Sequence, residues 1–421
     1  MSTLPGIRTA LHDAPEGSLS RQGLSPSNGA MSSPDDALRS PDDAVPQRSS
    51  TPVSSDPEAE RLCDAVRAAI ADASPLCLQG GGTRAFLGDP VDATPLSVAA
   101  VRGIVDYQPA ELFITARAGT PVAEIEAALA ERGQYLAFEP PRFGAAGTVG
   151  GMLAAGLSGP GRMAGGSLRD AVLGTVLLNG RAEVLRFGGQ VIKNVAGYDV
   201  SRLLAGSLGT LGIVLEVSLR VAPLAVASAT RVYDMPNSDA IDQVNRWLAQ
   251  ALPVHASAWH DGRLYLRLQG ARAAVDEACQ RLGGEAVPAE RAAAFWDALR
   301  DHRHPMLATC PGTESADQPL WRLALPPTHP PLALAGDVLI EWHGGQRWLR
   351  SDLSAATIRA AAQAAGGHAM RFRPGRDAEA ASSSLTPLTG PLARIEYAVK
   401  QAFDPHGIFN PGRRPYAAST A

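Results

Sequence analysis

Three glycine-dense segments recur in order along this chain, each next to a short apolar run. The first is Gln79-Gly80-Gly81-Gly82-Thr83-Arg84. The second runs from Gly147-Thr148-Val149-Gly150-Gly151 to Ser158-Gly159, and the third is the turn Gly209-Thr210-Leu211-Gly212-Ile213. Glycine admits positive φ and lets backbone approach a ligand with no Cβ in the way. Successive free N–H groups in such loops form concavities that take anions. Two of these loops predict a diphosphate gripped from two sides, and so a nucleotide cofactor rather than a lone phosphate.

The spacing argues against the commoner nucleotide motifs. A dinucleotide fingerprint needs G-x-G-x-x-G between a strand and a helix, and Gly80-Gly81-Gly82 has no third glycine at that offset. A phosphate-binding P-loop needs Gly-Lys-Ser/Thr, which follows neither loop. The 421 residues exceed one ordinary domain and predict two. A net charge of −4 offers nothing to nucleic acid. Cys63, Cys77, Cys279 and Cys310 form no C-x-x-C pair, which speaks against an iron–sulfur cluster or a structural zinc in this chain. There is no export signal and no apolar run long enough to span a bilayer, so a cytoplasmic protein is expected.

Residues 1–55 are rich in Ser, Pro and Asp and predict a disordered extension. A domain over 56–223 carries the glycine loops. It opens at Asp56-Pro57, a helix cap and first-turn proline, and Pro75 to Leu78 reads as a strand entering the first loop. Val172 to Asn179 and Ala182 to Phe187 read as a hairpin. Ile213, Leu215, Val217, Leu219 and Val221 alternate as one face of a strand. Residues 224–388 change character. A β-α-β-β-α order, with Asp261-Gly262 as a hairpin turn, predicts a split βαβ half. A looser copy of that half ends at a strand over Ala369 to Phe372. Residues 389–421 hold a helix over Leu392 to Phe403 and a closing segment, Asp404-Pro405-His406-Gly407-Ile408-Phe409-Asn410-Pro411-Gly412-Arg413.

Taken in order, the three glycine segments, Leu168-Arg169-Asp170 and the closing segment resemble the FAD-binding domain of the vanillyl-alcohol oxidase and p-cresol methylhydroxylase family. The stretch Gly188-Gly189-Gln190-Val191-Ile192-Lys193-Asn194-Val195-Ala196-Gly197-Tyr198-Asp199 resembles the smaller flavin-binding subunits of bacterial glycolate oxidases. The fold implied is α+β: a two-part FAD-binding domain of vanillyl-alcohol oxidase type with a second α+β cap of ferredoxin-like halves. The cofactor implied is non-covalent FAD. Gln79, Gly80, Gly81, Gly82, Thr83 and Arg84 would hold the diphosphate. Gly147, Thr148, Gly150 and Gly151 would approach from the other side, with Ser158 and Gly159 nearby. Gly212 and Ile213 would lie at the adenine end, and Asn410 and Gly412 would close over the cofactor. The partners implied are a larger FAD-binding catalytic subunit and an iron–sulfur subunit. The substrate implied is a small 2-hydroxy acid, and attachment to the inner membrane through the complex is compatible with it.

Several residues stay open between roles. Lys193 and Lys400 are the only lysines. Lys193 reads equally as a solvated strand end or as a cation near the flavin. His302-Arg303-His304 places two imidazoles together without a third ligand, so a metal is not expected. The histidine-rich glycine motif of the larger subunits has no counterpart, and the sequence names neither a base nor a carboxylate-binding cation. A self-sufficient FAD-dependent oxidase of a sugar alcohol or lactone, and a structural subunit without chemistry, therefore stand as alternatives.

Overall fold

The first helix, Pro57–Ala71, begins where its sequence signals stand. The Asp56 carboxylate accepts from the Glu58 amide at 2.9 Å, and Pro57 sits in the first turn. The structure, a computed structural model, describes residues 56–189, 199–308, 318–375 and 383–416. The expected N-terminal extension, Lys193 with the stretch from Gln190 to Tyr198, and Cys310 lie outside the described residues.

After this helix, strand Leu76–Gln79 pairs in parallel with Thr94–Ser97. An antiparallel five-stranded sheet follows, ordered Ile104–Gln108, Phe113–Arg117, Ile213–Arg220, Val172–Leu178, Val184–Gly188. Both its faces are covered. One core takes Val122, Ile125 and Leu129 from helix Val122–Ala130, with Met152 and Leu153 from helix Val149–Ala155. The other takes Leu62 and Val66 of the first helix with Ile408 and Phe409 of the closing segment.

The period-two reading of Ile213 to Val221 needs a correction. Ile213 and Leu215 enter one core, whereas Val217, Leu219 and Val221 enter the other. The register explains the switch: Val176 pairs with Glu216, but its neighbour Leu177 pairs with Val214. Such a bulge inserts one residue and exchanges the faces beyond it. A single strand thereby serves both sides of the sheet.

The second sheet has eight strands in two halves. The first half runs Ala227–Asp234, helix Asn237–Leu248, Val254–His260, Arg263–Gly270 and helix Arg272–Leu282, the order read from the sequence. Asp261 and Gly262 both take positive φ at its hairpin turn. The second half runs Leu320–Ala324, Asp337–Glu341, Gln346–Arg350, helix Ala355–Ala364 and His368–Arg373. The halves fuse where Trp259 pairs antiparallel with Ile340. One helix, Ala289–Arg300, lies between the halves and was not among the expected elements. It leads directly into Asp301, whose carboxylate accepts from the Arg142 amide at 3.3 Å. Arg267 of the second sheet meets Glu139 at 2.6 Å. These contacts hold the second sheet against the glycine loops.

The last helix, Gly390–Phe403, ends in a buried ion pair. The Lys400 ammonium donates to Asp404 Oδ2 at 2.5 Å, to the Thr210 carbonyl at 2.7 Å and to the Phe409 carbonyl at 3.2 Å. Asp404 is fully buried and also accepts from the amides of Ile408 and Phe409. Burial pushes the Lys400 ammonium below its usual value, against the opposing pull of Asp404. One cation thus ties the Gly209 to Gly212 turn to the closing segment. Removing one partner leaves the other charge buried without compensation, at a cost of roughly 3–5 kcal/mol. Lys400→Met should therefore lower stability by about that amount in urea titrations of the purified chain. A loss within the scatter of exposed surface substitutions contradicts this reading.

Candidate functional site

The first glycine loop is pressed against the second, backbone to backbone. A Cβ on Gly81 would stand 1.5 Å from the Ala146 carbonyl oxygen, and one on Gly80 would stand 2.4 Å from Thr148 Oγ1. Gly81 admits no side chain while the loops keep these places, and one on Gly80 would have to displace the Thr148 hydroxyl. Gly82 turns the chain with φ +70°, a region that costs an L residue about 1–2 kcal/mol. Thr148 caps helix Val149–Ala155, its hydroxyl accepting from the Gly151 amide at 3.3 Å. Between the loops lies a cleft of about 210 Å³.

The polar groups facing this cleft are donors in excess. Among the described residues, no acceptor takes the amides of Gly80, Gly81, Gly82, Thr83 or Arg84. The Arg84 guanidinium donates to the Pro141 carbonyl at 2.5 Å and to Thr83 Oγ1 at 3.3 Å, and among the described residues it meets no carboxylate. Among the described residues its buried Nε has no partner. Burial lowers its pKa to about 10. A run of unpaired amides beside a cation that lacks a counter-ion suits an anion.

The closing segment seals one end. Asn410 takes φ +44° and is buried. Its Oδ1 accepts from the Leu78 amide and its Nδ2 donates to the Leu208 carbonyl, both at 2.8 Å, while its own amide donates to the Leu76 carbonyl at 2.9 Å. One side chain therefore fixes the strand before the first loop, the third glycine turn and the end of the chain.

The structure brings Gln79 to Arg84, Thr148, Gly151 and Asn410 together around this cleft. Other expected site residues do not line it. Gly150 packs on Ala118, which a Cβ would approach to 2.8 Å. The Ser158 hydroxyl accepts from the Leu168 amide at 3.0 Å, and the Gly159 carbonyl accepts from Trp342 Nε1 at 3.0 Å. Gly212 passes the Leu178 carbonyl at a distance closed to a Cβ, and Ile213 is core. Gly412 has φ +76° and open space around it. The cleft residues outside the expected set include Cys77, Leu208 and Arg413. Arg413 adjoins Gly412 in the closing motif, so a signal for it was present. Its side chain donates to the Ala85 carbonyl at 3.1 Å.

A second cavity, of about 580 Å³, adjoins the first and shares Thr83 with it. Gly147 lines this cavity rather than the cleft, with Phe86, Arg142 and Phe143 from the glycine-loop domain and Asp301, Arg303 and Arg373 from the second sheet and its connections. An aromatic cluster forms its wall, with ring centroids 5.3 Å apart for Phe86 and Phe143 and 5.4 Å for Phe86 and Phe372. His302 stacks on Phe372 at 5.0 Å, and burial drives its pKa down to about 3, so it serves as a neutral ring. His304 turns away to meet His260.

Comparison with known proteins agrees with this geometry. The FAD binding domain family matches residues 57–188. Glycolate oxidase subunit GlcE of Escherichia coli is 44% identical over 355 residues, covering 84% of this chain and 97% of that protein. Glycolate oxidase subunit GlcD of Bacillus subtilis is 30% identical over 140 residues, covering 33% of this chain and 30% of that protein. An alkyldihydroxyacetonephosphate synthase structure shares the fold with a TM-score of 0.57 at 14% identity, over 84% of this chain and 75% of that one. The chain belongs to the GlcE family of glycolate oxidase subunits, FAD-binding oxidoreductases of vanillyl-alcohol oxidase type.

Proposed function

We propose that this chain is the FAD-carrying subunit of a complex that oxidises glycolate to glyoxylate and hands the electrons to an iron–sulfur subunit, beside a larger FAD-binding catalytic subunit. The observation that carries the proposal is the donor-rich cleft between two glycine loops, in a chain aligned with almost the whole of a glycolate oxidase subunit. The bound cofactor supplies two-electron acceptance and release of those electrons one at a time. The chain supplies the grip. The amides of Gly80 to Arg84 face the diphosphate, and the Arg84 charge balances part of it. Thr148 and Gly151 form the opposite wall, and Asn410 holds the end of the cleft closed. Gly150 lets the second loop pack on Ala118, and Gly212 lets the third turn pass the Leu178 carbonyl; Gly147, Ile213, Ser158, Gly159 and Gly412 would act through the placement of these loops and the closing segment. Neutral amides and one guanidinium suffice for a diphosphate without a lysine.

Among the described residues no helix is long and apolar enough to cross a membrane. Residence on the cytoplasmic side, held at the membrane through the partner subunits, fits the proposal. A second reading, a self-sufficient FAD-dependent dehydrogenase, has one feature in its favour: the cavity of about 580 Å³ that opens beside the cleft. Reduction of the isolated chain by substrate under argon separates the two. Slow or absent bleaching of its flavin alone, and fast turnover once both partner subunits are added, supports the complex. Rapid bleaching of the isolated chain by a sugar alcohol, or undiminished glycolate oxidation by a complex lacking this chain, overturns it.

The grip itself makes a graded prediction. Gly81→Val should yield folded protein nearly free of flavin, because its side chain meets the Ala146 carbonyl. Gly82→Ala, with open space and only backbone strain to bear, should keep most of its flavin. Arg84→Met should weaken FAD binding on the order of tenfold or more, the usual effect of losing a charged hydrogen-bond donor. Fluorescence titration of apoprotein with FAD measures all three. Equal affinities across the series contradict the assignment.

A further inference from the structure

Among the described residues, one cation of the second cavity meets no acid. Arg373 ends strand His368–Arg373 at the edge of the eight-stranded sheet. Its guanidinium stands 4.0 Å over the Phe86 ring, 5.7 Å from the Phe143 ring and 5.9 Å from the Phe372 ring. Among the described residues its buried Nε has no hydrogen-bond partner. The other arginines of the cavity have acids of their own: Arg142 meets Glu126 at 2.8 Å, and Arg303 meets Asp301 at 3.5 Å. Asp301 is in turn held by both nitrogens of the Arg300 fork at 2.9 Å. Among the described residues no carboxylate reaches Arg373.

We propose that Arg373 is the anchor for a small carboxylate ligand, of the 2-hydroxy or 2-oxo acid class, in the cavity between the glycine loops and the second sheet. The aromatic platform holds the guanidinium, whose fork of donors matches the two oxygens of a carboxylate. An aromatic ring does not neutralise a charge, so an anion at this position removes the cost of a half-buried cation. Burial, aided by the nearby Arg350 charge, already lowers the Arg373 pKa to about 10, yet it stays cationic at neutral pH. Phe86 and Thr83 both belong to the first glycine loop and its continuation. The loop assigned to the diphosphate thus also shapes the carboxylate site, which places the ligand beside the cofactor. Choosing a carboxylate over other anions rests on the glycolate oxidase reading; the unpaired cation in the cavity does not.

The test uses the flavin-loaded full chain without partner subunits. Calorimetry and the flavin absorbance spectrum follow titration with glycolate, glyoxylate, the neutral glycolamide and sulfate. Saturable binding of glycolate or glyoxylate is expected, with none for glycolamide. Arg373→Met should weaken it on the order of tenfold or more, with FAD content and thermal midpoint unchanged, and Arg373→Lys should recover part of the loss. Arg303→Gln, which removes a cation already paired, should change affinity by only a few-fold. Four outcomes overturn the proposal: equal binding of glycolamide, undiminished binding by Arg373→Met, loss of FAD rather than of carboxylate in that variant, and binding of sulfate alone. Absence of any carboxylate binding to chain that holds its full FAD also overturns it, and leaves the flavin assignment standing. Should Arg373→Met fail to fold, the comparison of glycolate with glycolamide on the unaltered chain decides.

Discussion

The close approach of Gly81 to the Ala146 carbonyl is the contact on which the site depends. Two backbone segments far apart in sequence can meet this closely only where no Cβ intervenes. The approach turns two ordinary loops into one concavity, and it leaves the amides of Gly80 to Arg84 with no acceptor among the described residues. These amides line a partly exposed cleft, where an anion can take several of them at once. Binding and folding are linked wherever a ligand favours the folded state.

Long-range closure keeps the concavity in register. Asn410 reaches Leu76, Leu78 and Leu208 with three hydrogen bonds, and Lys400 joins Thr210 to Phe409 through the same segment. The end of the chain therefore acts as a strap across the first strand and the third glycine turn. The lysine weighed as a functional candidate in the sequence, Lys193, lies outside the described residues. The other, Lys400, does structural work that its scarcity alone did not identify.

Legibility in the sequence followed the physical range of each feature. Local signals read through: the Asp56-Pro57 cap, the strand into the first loop, the Asp261-Gly262 hairpin and the paired halves of the second sheet all stand in the structure. Glycine loops are legible because the demand for a missing Cβ leaves a residue-specific mark. The bulge near Leu215 was not legible, because a one-residue register shift leaves the alternation of apolar residues intact. Helix Ala289–Arg300 was missed for a similar reason: its run of alanines shows little contrast between faces. Arg373 had no signal at all. Its meaning comes from Phe86, a ring supplied by a distant part of the chain, and from the lack of a carboxylate beside it among the described residues.

The central claim is that main-chain amides of the first loop hold the diphosphate. Amide chemical shifts answer it most directly: a glycine-selective nitrogen-15 label on the full chain, with spectra taken before and after saturation with FAD. The account predicts large downfield proton shifts for Gly80, Gly81 and Gly82, with Gly262, in a distant hairpin, unmoved. First-loop glycines that stay in place while the chain takes up FAD would contradict it.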